Sequence, residues 1–176
     1  LKKIINLLFY TAYKVTGSVS GDYRRFNRAA HKRGISVQAL AGDPRWCLEK
    51  YHHRALEWAA DIIEFNAACK KEERFDGIHA DVEPYIFTKL WEQDRMGMLR
   101  QYMDMNVTVE KMIRQFKPDF IFAADIPFWY DDDPQMWVEW NSKFKPPSYH
   151  ILDIVDQIAV MDYRNFAAGD NGSVAL

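Results

Sequence analysis

Residues 75 to 85 read Phe-Asp-Gly-Ile-His-Ala-Asp-Val-Glu-Pro-Tyr, and His79, Asp81 and Glu83 place ionisable groups at alternate positions. The positions between them, Ile78, Ala80 and Val82, are apolar. Alternate residues of a β-strand share a face, so this spacing lines three ionisable side chains along one side. Aligned acids are costly to bury unless water, a partner or a substrate meets them. The chemistry such a pair can do is acid catalysis. Burial and a neighbouring carboxylate both raise a carboxyl pKa, so one acid can hold its proton near neutrality and donate it. Asp81 and Glu83 lie about 7 Å apart by strand rise. Glu83, nearer the strand end, is the expected general acid, and Asp81 the orienting and stabilising group.

Two other uses of the cluster stay open. His79, Asp81 and Glu83 could ligate a divalent metal, although the outer two are about 13 Å apart by rise, which is poor geometry for one ion. The cluster could also be a buried network in which His79 pairs with Asp81 and Glu83 caps the strand.

The elements that must position these residues are legible as an alternation. Leu7 to Tyr13 reads as a strand, Tyr23 to Lys32 as a short helix closed by Gly34, and Ile35 to Ala41 as a second strand bounded by Gly42-Asp43-Pro44. A long helix is expected over about 48–69, where Tyr51, Ala55, Ala59, Ile62 and Asn66 recur at helical spacing. The strand at 75–83 stops at Pro84, which cannot donate to a sheet ladder. A helix over about 90–116 ends before Pro118, and Phe120 to Ile126 is an almost continuous apolar run interrupted by Asp125. A loop of about twenty residues, a short helix near 149–155 and a last strand over 158–163 complete the pattern. Strands alternating with helices give an α/β fold with parallel strands. No Gly-x-Gly-x-x-Gly follows a strand, and acids fall at several strand C-terminal ends, which favours a (β/α)8 TIM-barrel type over a nucleotide-binding sheet. A whole barrel needs eight strands. The pattern supplies about five, so residues 1–176 are expected to form one partial barrel, a single catalytic domain.

The 176 residues are 48% hydrophobic and 15% aromatic, with a net charge of −2. That supports one core and indicates no nucleic-acid footprint. No apolar run approaches a membrane span of about 20 residues, and nothing calls for a cofactor. Cys47 and Cys69 fall on the expected 48–69 helix or its edge, roughly 33 Å apart by helical rise, too far to pair. Oligomeric state is not legible.

The stretch Asp76-Gly77-Ile78-His79-Ala80-Asp81-Val82-Glu83 resembles the fourth-strand signature of family 18 glycoside hydrolases, the chitinase-like barrels, Asp-Gly-x-Asp-x-Asp-x-Glu. His79 stands where the family has its second Asp. Met161-Asp162-Tyr163-Arg164 resembles the sixth-strand Met-x-Tyr-Asp, with Arg164 in place of the last Asp. The resemblance implies a glycosidase in which the substrate's own acetamide is the nucleophile, Asp81 holds it, Tyr163 donates to its oxygen and Glu83 is the acid. Val82 stands where chitinases carry a large aromatic, so a carbohydrate other than chitin is left open. So is a non-catalytic carbohydrate-binding barrel, given His79 and Arg164.

Further candidates for substrate contact are Asp76, His79, Asp125, Asp162 and Arg164, with Trp46 and Trp129 as rings that could face a sugar. Each has a structural alternative. Asp125 could cap a turn before Pro127, Arg164 could pair with an acid, and the Trp rings could pack in the core.

Overall fold

A computed structural model describes residues 7–131 and 133–163. Its main strands are β1 (Leu7–Thr11), β2 (Ser36–Ala41), β3 (Gly77–Ala80), β4 (Ile121–Pro127) and β7 (Gln157–Met161). They form one sheet in the order β1-β2-β3-β4-β7, every neighbouring pair parallel. The helices α1 (Ser20–His31), α2 (His52–Ala67), α3 (Thr88–Phe116) and α4 (Pro147–Leu152) are the crossovers between them. This is the expected α/β alternation.

The sheet is curled. Gln38 on β2 and Gln157 on β7 are three strand steps apart, which in a flat sheet is about 14 Å. Their side-chain amides nevertheless meet at 2.9 Å. The rings of Phe9 on β1 and His79 on β3 likewise approach to 4.2 Å between centroids. Side chains from non-adjacent strands meet only on the concave face of a closing sheet. The architecture is therefore part of a (β/α)8 barrel, with β1 and β7 as its edges among the described residues.

Strand alternation divides the side chains between two environments. Val37, Ala39, Ala41, Ile78, Ala80, Phe122, Ala124 and Ile126 face outward and meet Ile62, Leu99, Tyr102, Met103 and Ile113 from α2 and α3, all within the main core. Gln38, His79 and Asp125 have the opposite parity and face the barrel interior. Among the described residues, no helix is long and apolar enough to cross a membrane.

Several elements differ from the sequence reading. The expected loop after β4 contains a hairpin, β5 (Val138–Trp140) and β6 (Lys143–Lys145), turned by Asn141 and Ser142 at φ 54° and 60°. Two successive left-handed residues make a tight hairpin turn. Its strands are three residues long, too short to show alternation, and Ser142 occupies the place where glycine gives the usual signal. Helix α3 is broken at Asp94 (φ −153°, ψ 59°), whose carboxylate accepts the Gly97 N–H at 2.9 Å and caps the restarted helix. Helix α2 begins at His52. Cys47 closes a separate 3-10 turn (Pro44–Cys47) and Cys69 follows the helix end, so the two do not share one helix. Both thiols are free and buried, and burial pushes that of Cys47 up to about 12.

Candidate active site

The candidate residues gather where β3 ends. The strand's last residue is Ala80, but the Asp81 N–H still donates to Ala41 O at 3.0 Å, so the chain remains tied to β2 one residue further. Gly42 permits this. A Cβ built on it would lie 1.6 Å from the Asp81 carbonyl oxygen, so only a glycine allows the two chain ends to pass. Beyond Asp81, Pro84 opens a 3-10 turn (Pro84–Ile86) and lifts Glu83 and Tyr85 to the rim.

His79 is 1% exposed, and its Nδ1 lies 3.1 Å from Gln38 Oε1. Its Nε2 is 3.0 Å from Asp125 Oδ2, out of line for a good hydrogen bond. His79 thus faces Gln38 and, on the next strand, Asp125, and not the Asp81 of the buried-network alternative. Asp81 is half-buried, and its Oδ1 is shielded from water without a hydrogen-bond partner. Burial first, then the negative charges of Asp125 and Glu83, push the Asp81 carboxyl up to about 6, while His79 pulls the other way. Glu83 accepts a hydrogen bond from the Tyr85 hydroxyl at Oε2. The Tyr85 phenol is pushed up by burial, by that hydrogen bond, and by charge at Glu83, Asp81 and Tyr163. Tyr163 therefore lies within electrostatic range of the same rim, and its side is open to solvent (87% exposed).

Aromatic rings flank Glu83. Tyr85 packs edge-on against Trp129 at 5.1 Å, and both meet Trp91. Trp129 therefore borders the acid, as its place after β4 implies. Trp91 and Tyr85 were not singled out by sequence, although Tyr85 is two residues from Glu83.

The other candidates separate. Trp46 is 6% exposed and stacks on Trp58 at 5.6 Å, so it belongs to the core and offers no open face to a sugar. Asp76 lies at the opposite end of the strand. It accepts from Val37 N at 2.7 Å and Ser36 Oγ at 3.0 Å and meets His31 Nε2 at 2.9 Å, fastening the bottom of the barrel. A strand residue before Gly77 could not reach the rim. Asp162 is half-buried just after β7. Arg164 lies outside the described residues. Among the described residues, no group of three His, Cys, Asp or Glu side chains is arranged to hold a metal ion.

The raised Asp81 pKa has a stability consequence. Between about pH 4 and 6, the folded chain holds a proton on Asp81 that the unfolded chain has released. Stability therefore falls as pH rises through that window and stays low above it. A carboxyl raised to about 6 corresponds to roughly 3 kcal/mol, which partial solvent exposure reduces to about 1–2 kcal/mol. Asp81→Asn is accordingly expected to raise the melting temperature at pH 7 by a few degrees and to flatten the loss of stability between pH 4 and 6. Calorimetry across that range checks it, and a less stable variant at pH 7 would contradict it.

The fold is distantly similar, at the level of architecture, to that of chitinase-like barrels of glycoside hydrolase family 18. The structure superposes on a chitinase from Chromobacterium violaceum with a TM-score of 0.55 at 13% identity, over 91% of this chain and 49% of that one. It matches the Group II chitinase catalytic domain 2 of Ostrinia furnacalis with a TM-score of 0.54 at 14% identity, over 90% and 43%. A GH18 chitinase from Cycas revoluta, a mutant in complex with (GlcNAc)4, gives 0.53 at 14%, over 93% and 52%. The chain thus spans about half the length of these chitinases. No family model and no curated protein matches it.

Proposed function

We propose that this chain carries the acid centre of a glycosidase acting on an N-acetylated amino-sugar glycan. The observation that supports this reading most is the joint placement of Asp81 and Glu83. They stand at the C-terminal end of a central strand in a curled parallel sheet, the end where barrel enzymes keep their chemistry. Glu83 donates a proton to the leaving glycosidic oxygen, held for that purpose by the Tyr85 hydroxyl. Asp81 orients the substrate acetamide as it attacks the sugar carbon, and stabilises the positive charge that develops on it. Tyr163 donates to the acetamide oxygen. Trp129 offers part of its ring to the sugar beside Glu83. Asp125 and His79 lie beneath this layer and bear on Asp81.

A second reading, a barrel that binds carbohydrate without turning it over, is favoured by one observation. A buried histidine, His79, stands two residues before Asp81, so Asp81 has no carboxylate beneath it on its own strand to pair with.

Incubation with N-acetylated chitooligosaccharides, their deacetylated forms and cello-oligosaccharides, followed by mass spectrometry, separates these outcomes. Hydrolysis confined to the acetylated series is expected. Equal cleavage of deacetylated sugars would remove the acetamide mechanism. Saturable binding of acetylated sugars without products would establish the non-catalytic reading.

A further inference from the structure

The floor of the barrel carries a groove that the chemistry of the rim does not use. Asp76 and Phe120 stand just before β3 and β4, so the groove opens at the strand N-terminal ends, away from Asp81 and Glu83. Its first part lies between the ends of α2 and α3, a cavity of about 180 Å³ bordered by Ile63, Ala67, Phe116 and Phe120. Arg74 and Lys117 border this cavity and also the next, of about 560 Å³, which reaches His31, Lys71 and Glu72. A third hollow shares His31 and Glu72 with the second and ends at Lys32 and Lys70. The three form one open channel, apolar at one end and basic along the rest.

Phe116, the last residue of α3, is 69% exposed at the apolar end. The Lys117 ammonium lies 5.2 Å from the centroid of the Phe120 ring, so the apolar and basic parts meet there. Among the described residues, Lys32, Lys70, Lys71, Arg74 and Lys117 form no ion pair. Of the acids beside them, Asp76 is engaged by His31, Ser36 and Val37, which leaves the Glu72 carboxylate. The channel is thus positive on a chain whose net charge is −2. Helix dipoles favour a cation at the last turn, which accounts for Lys32 and Lys117. They do not reach Lys70, Lys71 and Arg74, and they give no reason for a phenylalanine to stand in water beside them. The walls are held in place. The Asn66 amide donates to Phe75 O at 2.9 Å and accepts from Phe75 N at 2.8 Å, while Asn27 and His31 bond the carbonyls of Glu73 and Glu72. A groove fixed in this way needs little ordering to bind.

We propose that this channel docks an acidic peptide segment of a partner protein. One bulky apolar side chain of that segment sits at Phe116, and its carboxylates lie along Lys71, Arg74 and Lys117. Charge complementarity selects the acidic partner, and the exposed ring at the head of the channel selects a peptide. The first cavity is smaller than the roughly 300–1,000 Å³ of a small-molecule site and suits a single side chain. An anionic glycan would meet the lysines but has no apolar side chain to fill that cavity. The inference does not rest on the glycosidase reading, because no residue of the rim takes part.

Fluorescence anisotropy on the whole chain tests this, with a fluorescein-labelled peptide that carries one phenylalanine beside a run of glutamates. Saturable binding is expected, weakening as salt is raised. Alanine in place of the peptide's phenylalanine, or Phe116→Ser in the chain, should each weaken it about tenfold. Lys71→Glu should weaken it by about the same factor and flatten its salt dependence. Phe116 and Lys71 are both exposed, so each variant should melt with the parent chain. Absence of saturable binding at low salt overturns the proposal. Binding that ignores the phenylalanine would reveal a charged surface with no anchor, and that also overturns it. Equal displacement of the peptide by a single-stranded oligonucleotide, or by vesicles rich in phosphatidylserine, would hand the channel to another class of partner. Self-association of the chain that Phe116→Ser abolishes would give it to a second copy, and either result rejects the peptide.

Discussion

Glu83→Gln is expected to lower glycan hydrolysis by about a thousandfold while leaving the melting temperature within a degree or two of the parent chain. The reason is local. Glutamine has the shape of glutamate, and its amide oxygen accepts from the Tyr85 hydroxyl as the carboxylate does at Oε2. The ring contacts of Tyr85 with Trp129 and Trp91 therefore survive, and with them the wall beside the acid. What the amide cannot do is release a proton to a leaving oxygen. General-acid assistance is worth about 10² to 10⁴ in rate, so the loss should fall on turnover, with binding of acetylated oligosaccharides kept. Steady-state kinetics and isothermal titration on the same preparation check both halves. A rate within a few fold of the parent would remove Glu83 from the acid role and leave Asp81 as the remaining candidate on that strand.

The residues that let this be anticipated are those whose physics is local. Alternation over 77–83 requires nothing beyond strand geometry, and it put His79, Asp81 and Glu83 on one face before any fold was in view. The apolar runs at Ser36–Ala41 and Ile121–Pro127 are legible as buried parallel strands because both their faces are covered. What sequence could not show depends on closure. Gln38 is the one strongly polar residue in β2, and its partner Gln157 is 119 positions away. Only the curl of the sheet brings them together. His79 likewise faces Asp125, 46 positions on in sequence, because β3 and β4 pair side by side. Trp46 was misplaced for a related reason. A ring after a strand end can face solvent or turn back under the next helix, and stacking on Trp58 decides it. Asp76 belongs to the family-like stretch by spacing, yet its hydrogen bonds to Ser36 and Val37 fix it to the floor of the barrel.

Gly42→Ala should be the most damaging single substitution at the rim, although it adds one methyl group and touches no ionisable residue. The new Cβ would fall 1.6 Å from the Asp81 carbonyl oxygen, 2.2 Å from its carbonyl carbon and 2.9 Å from its Cα. These are backbone atoms in a strand end and have no rotamer by which to withdraw. The ends of β2 and β3 must separate, which breaks the Asp81 N–H to Ala41 O hydrogen bond and carries Asp81 and Glu83 away from their neighbours on β4. The cost is about 3 kcal/mol, at the upper end of the range for overpacking. A chain of this length should then melt roughly 6–12 °C lower. Because the site must hold its groups to within about half an ångström, hydrolysis should fall further than the loss of stability explains, even at temperatures where the variant is folded. Gly21→Ala is the matching control. It lies in α1, where a Cβ meets nothing nearer than the Arg25 guanidinium at 3.7 Å, and it should leave both melting and turnover close to the parent values. If Gly42→Ala melts with the parent chain, then β2 and β3 do not approach as closely as the geometry requires, and the link from the strand end to the acids is lost with it.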